Sequence, residues 1–339
     1  MFEFFAGAAV LFFGNGTEQQ GGCVFGAESE IGIRAFATPN GTDTVKIESE
    51  EFGSFEIEIG DTEPKAEEAE KFSAIVRGVM NCFIESGNIF GGFDAKIRSE
   101  IPAESGISAA GTFSVLVGKI ISGLFFEKSV PPLRLAQFGK IALENYFGKP
   151  ACLSEGIISA LGGTVFMDFS ELDMPYFEKI PFDYGKTGYS LALLGTGDFS
   201  EDYTEEQKDL GFVAWNMGHT FLSEADEAEF VAQFPILRQK CGEKAVFRAL
   251  RFYEEFRRAS EEFETFLNGD FEKFLEVFRE PSENEGENSE VFDFAKSLIG
   301  EKGAVKEFSG KVLAFVPEES AAEFAEKTEK RGIGIVFLL

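Results

Sequence analysis

A chain of 339 residues with 59 acidic against 31 basic side chains, a formal net charge of −28, is excluded from non-specific nucleic-acid binding, because no field draws phosphates towards it. The same charge opposes a free nucleotide unless a local basic patch or a magnesium ion offsets it. Hydrophobic residues make up 44%, with 41 phenylalanines among them, so a sizeable core is expected, in one large domain or two ordinary ones.

From the N-terminus, Ala8 to Phe13 reads as a buried strand, Gly14 to Gly22 as a polar loop and Cys23 to Phe36 as a second strand. Asn40-Gly41 is a hairpin signal, followed by alternating β-type residues from Thr44 to Ile59. Glu63 to Asn81 has the spacing of an amphipathic helix, Phe93 to Ile101 alternates like a strand, and Ala109 to Phe126 is an apolar helix. Leu133 to Phe147 and Glu155 to Leu161 read as helices set off by Pro131-Pro132 and Lys149-Pro150. Beyond them, Gly163 to Phe169, Gly188 to Leu194, Val312 to Val316 and Gly332 to Leu339 read as strands. Glu243 to Asn268, Phe271 to Phe278, Phe292 to Ile299 and Glu318 to Lys330 read as helices, and Pro281 to Ser289 as an acidic solvated loop. Helices and strands mix without regular βαβ alternation, which predicts an α+β protein in two domains, 1–165 and 166–339.

The four cysteines, Cys23, Cys82, Cys152 and Cys241, show no CxxC spacing, and the single His219 cannot support a histidine-rich metal site. Buried free thiols in a reducing compartment are expected, and no metal held by the protein alone. The apolar stretch Met1 to Phe13 carries Glu3 and no basic residue, and a polar Gly-rich segment ends it before membrane-spanning length. The expectation is a cytoplasmic protein with neither membrane nor nucleic acid as partner.

Ile101-Pro-Ala-Glu-Ser-Gly-Ile-Ser-Ala-Ala-Gly-Thr112 is a short Gly/Ser turn opening into an apolar helix. Outward-pointing amides of such a turn form an anion nest, for which Ser105, Gly106, Ser108 and Gly111 are the candidates. A bare helix start without a ligand fits the same residues. Glu104 brings negative charge into the turn, and Ala109-Ala110 stand where hydroxyls would serve a metal-assisted phosphate.

Several blocks, in order, resemble the galactokinase family, in the superfamily that also holds homoserine, mevalonate and phosphomevalonate kinases (GHMP). Gly14-Asn-Gly-Thr-Glu-Gln-Gln-Gly-Gly22 resembles GEHTDYNGG, and Gly92-Phe-Asp94 with Ser99 to Ser108 resembles GFD with PxGxGLSSSA. Glu144-Asn145 and Phe147 to Gly162 resemble AEN-x-FVGVPCGIMDQFISALG; Val165 to Ser170 resembles the strand and turn that follow it. Ser200 to Tyr203 resembles SSEY, Arg248-Ala249 with Glu255 resembles RAxHVxxE, and Gly303 to Phe315 resembles a shortened GARMTGGGFGG segment. The resemblance implies a two-domain GHMP kinase fold, with a ribosomal protein S5 domain 2-like N-terminal domain and a ferredoxin-like C-terminal domain. It also implies in-line transfer of the ATP γ-phosphoryl group to the anomeric hydroxyl of galactose, with ATP and Mg2+ as cofactors if the chain is active and none otherwise.

Carried over residue by residue, the resemblance places Glu155 on the catalytic aspartate, one methylene longer; a first-turn acidic residue or helix cap is the alternative for it. The catalytic arginine falls on Ala9, which can neither hold that carboxylate nor offset charge. The sugar-binding Glu, His and Asp fall on Asn15, Gly16 and Glu18, and Asp168 and Tyr203 fall near the sugar. A connecting turn, a turn carboxylate and a half-buried ring are the plain readings of these. In the last glycine-rich segment, Phe308 stands where glycine allows close approach, and Lys306 or Lys311 is the candidate for compensating charge. With Ala9, Gly16, Glu104 and Ala109 all changed, the expectation is a degenerate kinase that has lost ordinary ATP-dependent galactose phosphorylation. Such a protein keeps a sugar or related metabolite as partner, or a protein partner. An active sugar kinase with altered residues is the alternative, and a different reaction in the same fold a third reading.

Overall fold

The structure, a computed structural model, describes residues 1–102, 105, 107–195, 203–280, 289–308 and 311–339. The chain divides into two compact units. The first is built from Met1–Val10, Glu28–Ala103 and Ile107–Gly162, and the second mainly from Leu11–Ala27 and Gly163–Leu339. Strands β1 (Phe2–Phe13) and β2 (Cys23–Pro39) run through both.

In the first unit, Ile33–Pro39 of β2 pair antiparallel with β5 (Phe93–Ser99). Strand β3 (Thr44–Glu48) lies parallel to β5 and antiparallel to β4 (Phe55–Glu58). The expectation of a hairpin at Asn40-Gly41 is therefore corrected: β5 lies between the two strands that this turn connects. The turn itself is real. Gly41 has φ +70°, and the Asn40 side chain donates to Thr44 O and Asp94 Oδ1 while accepting from Thr42 N. The hairpin is β3–β4, inside what reads as one long strand from Thr44 to Ile59.

Helix α1 (Phe72–Glu85) starts later than its periodicity predicts. Pro64 and the left-handed Glu70, φ 60°, interrupt the acidic stretch, which forms only a short 3-10 turn at Ala66–Glu68. Helix α2 (Ala109–Phe125) is apolar nearly all round and accordingly central: Phe113, Val115, Leu116, Val117, Ile120 and Ile121 are all fully buried. Each such side chain contributes roughly 1.5–3 kcal/mol by leaving water. Helix α3 (Pro132–Ala142) runs into one π-helical turn, Leu143–Phe147, and α4 (Leu153–Leu161) closes the layer.

In the second unit, Cys23–Ala27 of β2 pair with β6 (Thr164–Asp168), which pairs with β7 (Tyr176–Ile180). A second antiparallel sheet has the order β11-β8-β10-β9, from β8 (Tyr189–Leu194), β9 (Ala304–Phe308), β10 (Lys311–Pro317) and β11 (Ile335–Phe337). The helices are α5 (Tyr203–Met217), α6 (Glu227–Cys241), α7 (Glu243–Leu267), α8 (Phe271–Phe278), α9 (Ser289–Ile299) and α10 (Glu318–Lys330). Phe12, Phe13, Phe25, Phe274, Phe278 and Phe315 are buried as one edge-to-face cluster between α8 and the strands. Two sheets with segregated helices make the α+β architecture expected.

The four cysteines carry free thiols: Cys23 and Cys82 are buried, Cys152 and Cys241 partly exposed. Burial pushes the Cys23 thiol up to about 11 and the Cys82 thiol up to about 12, so both are inert at neutral pH. Among the described residues no helix is long and apolar enough to cross a membrane. The Pro281 to Ser289 segment lies outside the described residues, apart from the Ser289 backbone.

Candidate functional site

The loop from Gly14 to Gly22 is built to hold one shape. Gly14 has φ +80°, and a Cβ there would stand 2.0 Å from Cys23 O, so only glycine fits where the chain leaves β1. The buried Thr17 hydroxyl lies 2.8 Å from both Gly14 O and Cys23 O and joins the loop's two ends. Thr17 O accepts from Gln20 N and Gly22 N.

Side chains of α5 and α7 fasten this loop from outside. Glu255 Oε2 accepts from Gly14 N at 2.9 Å, and Gln207 Nε2 donates to Gly16 O at 3.1 Å. Gln20 Oε1 accepts from Leu222 N at 3.3 Å. Of the sugar candidates, Asn15 is exposed and Glu18 is buried, and both are engaged by neighbours. Gly16, in left-handed backbone at φ +81°, faces the Glu206 carboxylate, which is ion-paired with Arg251; a Cβ on Gly16 would sit 3.8 Å from Glu206 Oε1. Asp168, at the end of β6, accepts from Ser170 N at 2.8 Å and so caps a turn. Tyr203 begins α5, but its side chain lies outside the described residues.

Glu255 is also the acid of a buried pair that sequence reasoning missed. Lys306 Nζ donates to Glu255 Oε1 and to Phe12 O, each at 2.8 Å, and lies 4.2 Å from the Phe13 ring centroid. Arg258 stands 3.7 Å from the same Oε1. Burial pushes the Glu255 carboxyl up, but Lys306, Arg258 and the Gly14 amide outweigh it and hold the carboxyl below the usual range. Burial likewise lowers Lys306, opposed by Glu255. The signal was available in part: Glu255 stood in the RAxHVxxE-like block, and Lys306 was offered as a compensating cation. The structure corrects that second expectation, because the Lys306 charge is already neutralised inside the unit.

In the first unit, Ser108 is the N-cap of α2: its Oγ accepts from Gly111 N at 3.0 Å, and Thr112 Oγ1 donates to Ser108 O. Ser105, which groups with the second unit, is buried and engaged by neighbours. Gly106 and Glu104 lie outside the described residues, as do the side chains of Phe308 and Lys311. Glu155, in the first turn of α4, is brought to the same place. Its Oε2 is 3.6 Å from the point that a Cβ on Gly111 would occupy, and Ser108 Oγ is 2.9 Å from that point. The α2 N-terminus, which favours an anion, thus has the chain's own carboxylate against it. Phosphate oxygens arriving there would meet the Glu155 carboxylate at the helix start, so these residues fit an ATP phosphate poorly. Ala9 lies half-buried on β1 and supplies no cation. Arg34 is spent on Glu3 at 3.5 Å, Glu100 at 3.8 Å and the Phe5 ring at 4.5 Å, while Arg98 is exposed opposite it on β5. Among the described residues no group of three or more His, Cys, Asp or Glu side chains is arranged to hold a metal ion.

No family model matches the chain. It is 26% identical over 286 residues to the galactokinase of Lactococcus lactis subsp. cremoris, covering 81% of this chain and 70% of that one. To the galactokinase of Enterococcus faecalis it is 22% identical over 347 residues, covering 95% and 87%. The crystal structure of Lactococcus lactis galactokinase complexed with galactose superposes with a TM-score of 0.82 at 22% identity, over 99% of this chain and 92% of that one. Methanococcus jannaschii mevalonate kinase superposes with a TM-score of 0.63 at 13% identity, over 100% and 98%.

Proposed function

We propose that this chain, a galactokinase-like member of the GHMP kinase superfamily, binds a sugar and has lost ordinary ATP-dependent galactose phosphorylation. The observation that carries the reading is Ala9, half-buried on β1 where the resemblance puts the catalytic arginine, with Arg34 already engaged by Glu3 and Glu100. Phosphoryl transfer needs charge neutralised where phosphate sits, and the substitutions remove positive charge and leave negative charge. Sugar binding makes no such demand. It needs hydrogen-bonding side chains on a fixed frame, and the exposed Asn15 on the clamped loop is suited to it, while the buried Glu18 would take a sugar by exchanging a partner it already has. Asp168, Tyr203 and the nest of Ser105, Gly106, Ser108 and Gly111 belong to the same reading as remnants of the ancestral site. The domains are taken as 1–165 and 166–339 and the setting as cytoplasmic, where a sugar or related metabolite is the partner.

The alternative, an active sugar kinase, draws on Glu155, which keeps a carboxylate next to the phosphate loop. Titration calorimetry with Mg-ATP, with D-galactose and with both separates the two. Galactose binding without ATP binding supports the proposal, whereas ATP binding with ADP release in the presence of galactose would sink it.

A further inference from the structure

The loop that carries Asn15 and Glu18 is tied to the rest of its unit by an unusual fastening. Gly14 N, the first amide after β1, is buried and has Glu255 Oε2 as acceptor at 2.9 Å. The other oxygen of that carboxylate accepts from Lys306 Nζ at 2.8 Å, and the ammonium also donates to Phe12 O at 2.8 Å. Two residues of α7 and β9 thus grip the backbone on either side of Phe13, whose ring lies 4.2 Å beneath the ammonium. A lone carboxylate in this buried position would be costly to keep charged. Lys306 keeps it charged and fixes which oxygen faces Gly14.

We propose that Lys306 and Glu255 act as a positioning pair, which sets the backbone at Gly14 and hence the register of Asn15 and Glu18 before any sugar arrives. Lys306 orients Glu255, Glu255 holds the Gly14 amide, and Thr17 carries the constraint to Cys23 at the far end of the loop. The link to sugar rests on the reading in the preceding section; the positioning of the loop does not.

The test compares two double variants with the native chain, K306M/E255Q and K306M/E255L. Both remove the Lys306 and Glu255 charges together, and in both the buried Arg258 loses its 3.7 Å contact with Glu255 while keeping the one with Glu280, so that cost is common to the two. They differ in one respect: the glutamine of the first can still accept from Gly14 N, and the leucine of the second cannot. Hydrogen–deuterium exchange is read on peptides spanning residues 13–22, with peptides from α2 as an internal control, and D-galactose affinity is measured in parallel. In K306M/E255L, exchange across 13–22 is expected to rise about tenfold while the α2 control stays unchanged, the loss of one hydrogen bond to a charged group. In K306M/E255Q it is expected to stay within about threefold of native, since a neutral acceptor restores most of that bond. Galactose affinity should fall in the same order. Equal exchange in the two doubles, whether native-like or raised, overturns the proposal. A native chain that binds no galactose overturns the sugar reading alone, because the exchange measurement stands without it.

Discussion

Glu155 on α4 and Gly111 on α2 meet at the one helix start in the first unit where a phosphate was expected: the carboxylate oxygen lies 3.6 Å from the Cβ position of the glycine. Close like charges repel, so the carboxylate disfavours a phosphate arriving at this helix start. Substituting Glu155→Gln removes the repulsion and keeps the shape. Its affinity for Mg-ATP, measured by calorimetry, is expected to rise about tenfold, a modest fraction of the Coulomb energy of adjacent charges. If instead E155Q abolishes a measurable ADP release by the native chain, Glu155 is working as the family's catalytic acid residue and the proposed loss of activity is wrong.

Glu262 predicts how stability responds to pH. It is fully buried in α7, and neither carboxyl oxygen has a hydrogen-bond partner. Burial pushes its carboxyl up to about 8, with Lys273 opposing and Glu261, Glu280 and Asp270 adding. The folded value lies above the unfolded one. The stabilisation is therefore fully present below the unfolded value of 4.5 and is lost as pH rises through about 8. Glu262→Gln should abolish this component and raise stability at pH 8 by about 1–3 kcal/mol, because the amide carries no charge to bury while the lack of a hydrogen-bond partner is common to both. Denaturant melts at several pH values check it; parallel curves for native and E262Q protein would contradict it.

Glu255 carries the opposite sign. Its folded value is depressed, so the stability it contributes is present above the unfolded value of 4.5 and disappears as pH falls through the folded value. The single variant K306M leaves this carboxylate buried without its ammonium. It is expected to cost about 3–5 kcal/mol at neutral pH, much of which returns in K306M/E255L. Thermal melts of both variants against native protein give the comparison, and equal losses would show that the pair is not coupled.

Gly14→Ala places a methyl 2.0 Å from Cys23 O in left-handed backbone. A loss of at least about 2 kcal/mol is expected from strain and overpacking. Gly41→Ala is the matched control: it shares the left-handed conformation at φ +70°, but a Cβ there meets nothing within 4 Å. It should cost about 1 kcal/mol from strain alone. Equal costs for the two, read from denaturant midpoints, would deny the close approach at Cys23.

Where periodicity was strong and packing local, the sequence was a sufficient guide. Helices α8 and α10 span the residues expected, and α2 does so within one residue at its C-terminus. Helix α6 was not legible, since it contains Pro235 and shows little apolar face, and its burial rests on a few anchors such as Phe230 and Leu237. The Asn40-Gly41 dipeptide specified a turn correctly, but not which strands it separates, because β5 enters between them from more than fifty residues away. At the site, motif resemblance located the loop at Gly14 and placed Glu155 near the α2 start. It could not reveal that Lys306 is consumed by Glu255, a contact spanning 51 residues that no local pattern encodes. Asp168, by contrast, is the turn carboxylate of its plain reading, because an acceptor two residues before an amide is a local pattern.

The bond from Lys306 to Phe12 joins residues 294 positions apart, and that from Glu255 to Gly14 joins residues 241 apart. During synthesis the loop after β1 emerges well ahead of both of its anchors, Glu255 and Lys306. Closing such long segments is slow and leaves apolar Phe12 and Phe13 uncovered meanwhile. Late contacts thus complete an early loop, and a chain cut between α8 and β9 would leave that loop without its lysine.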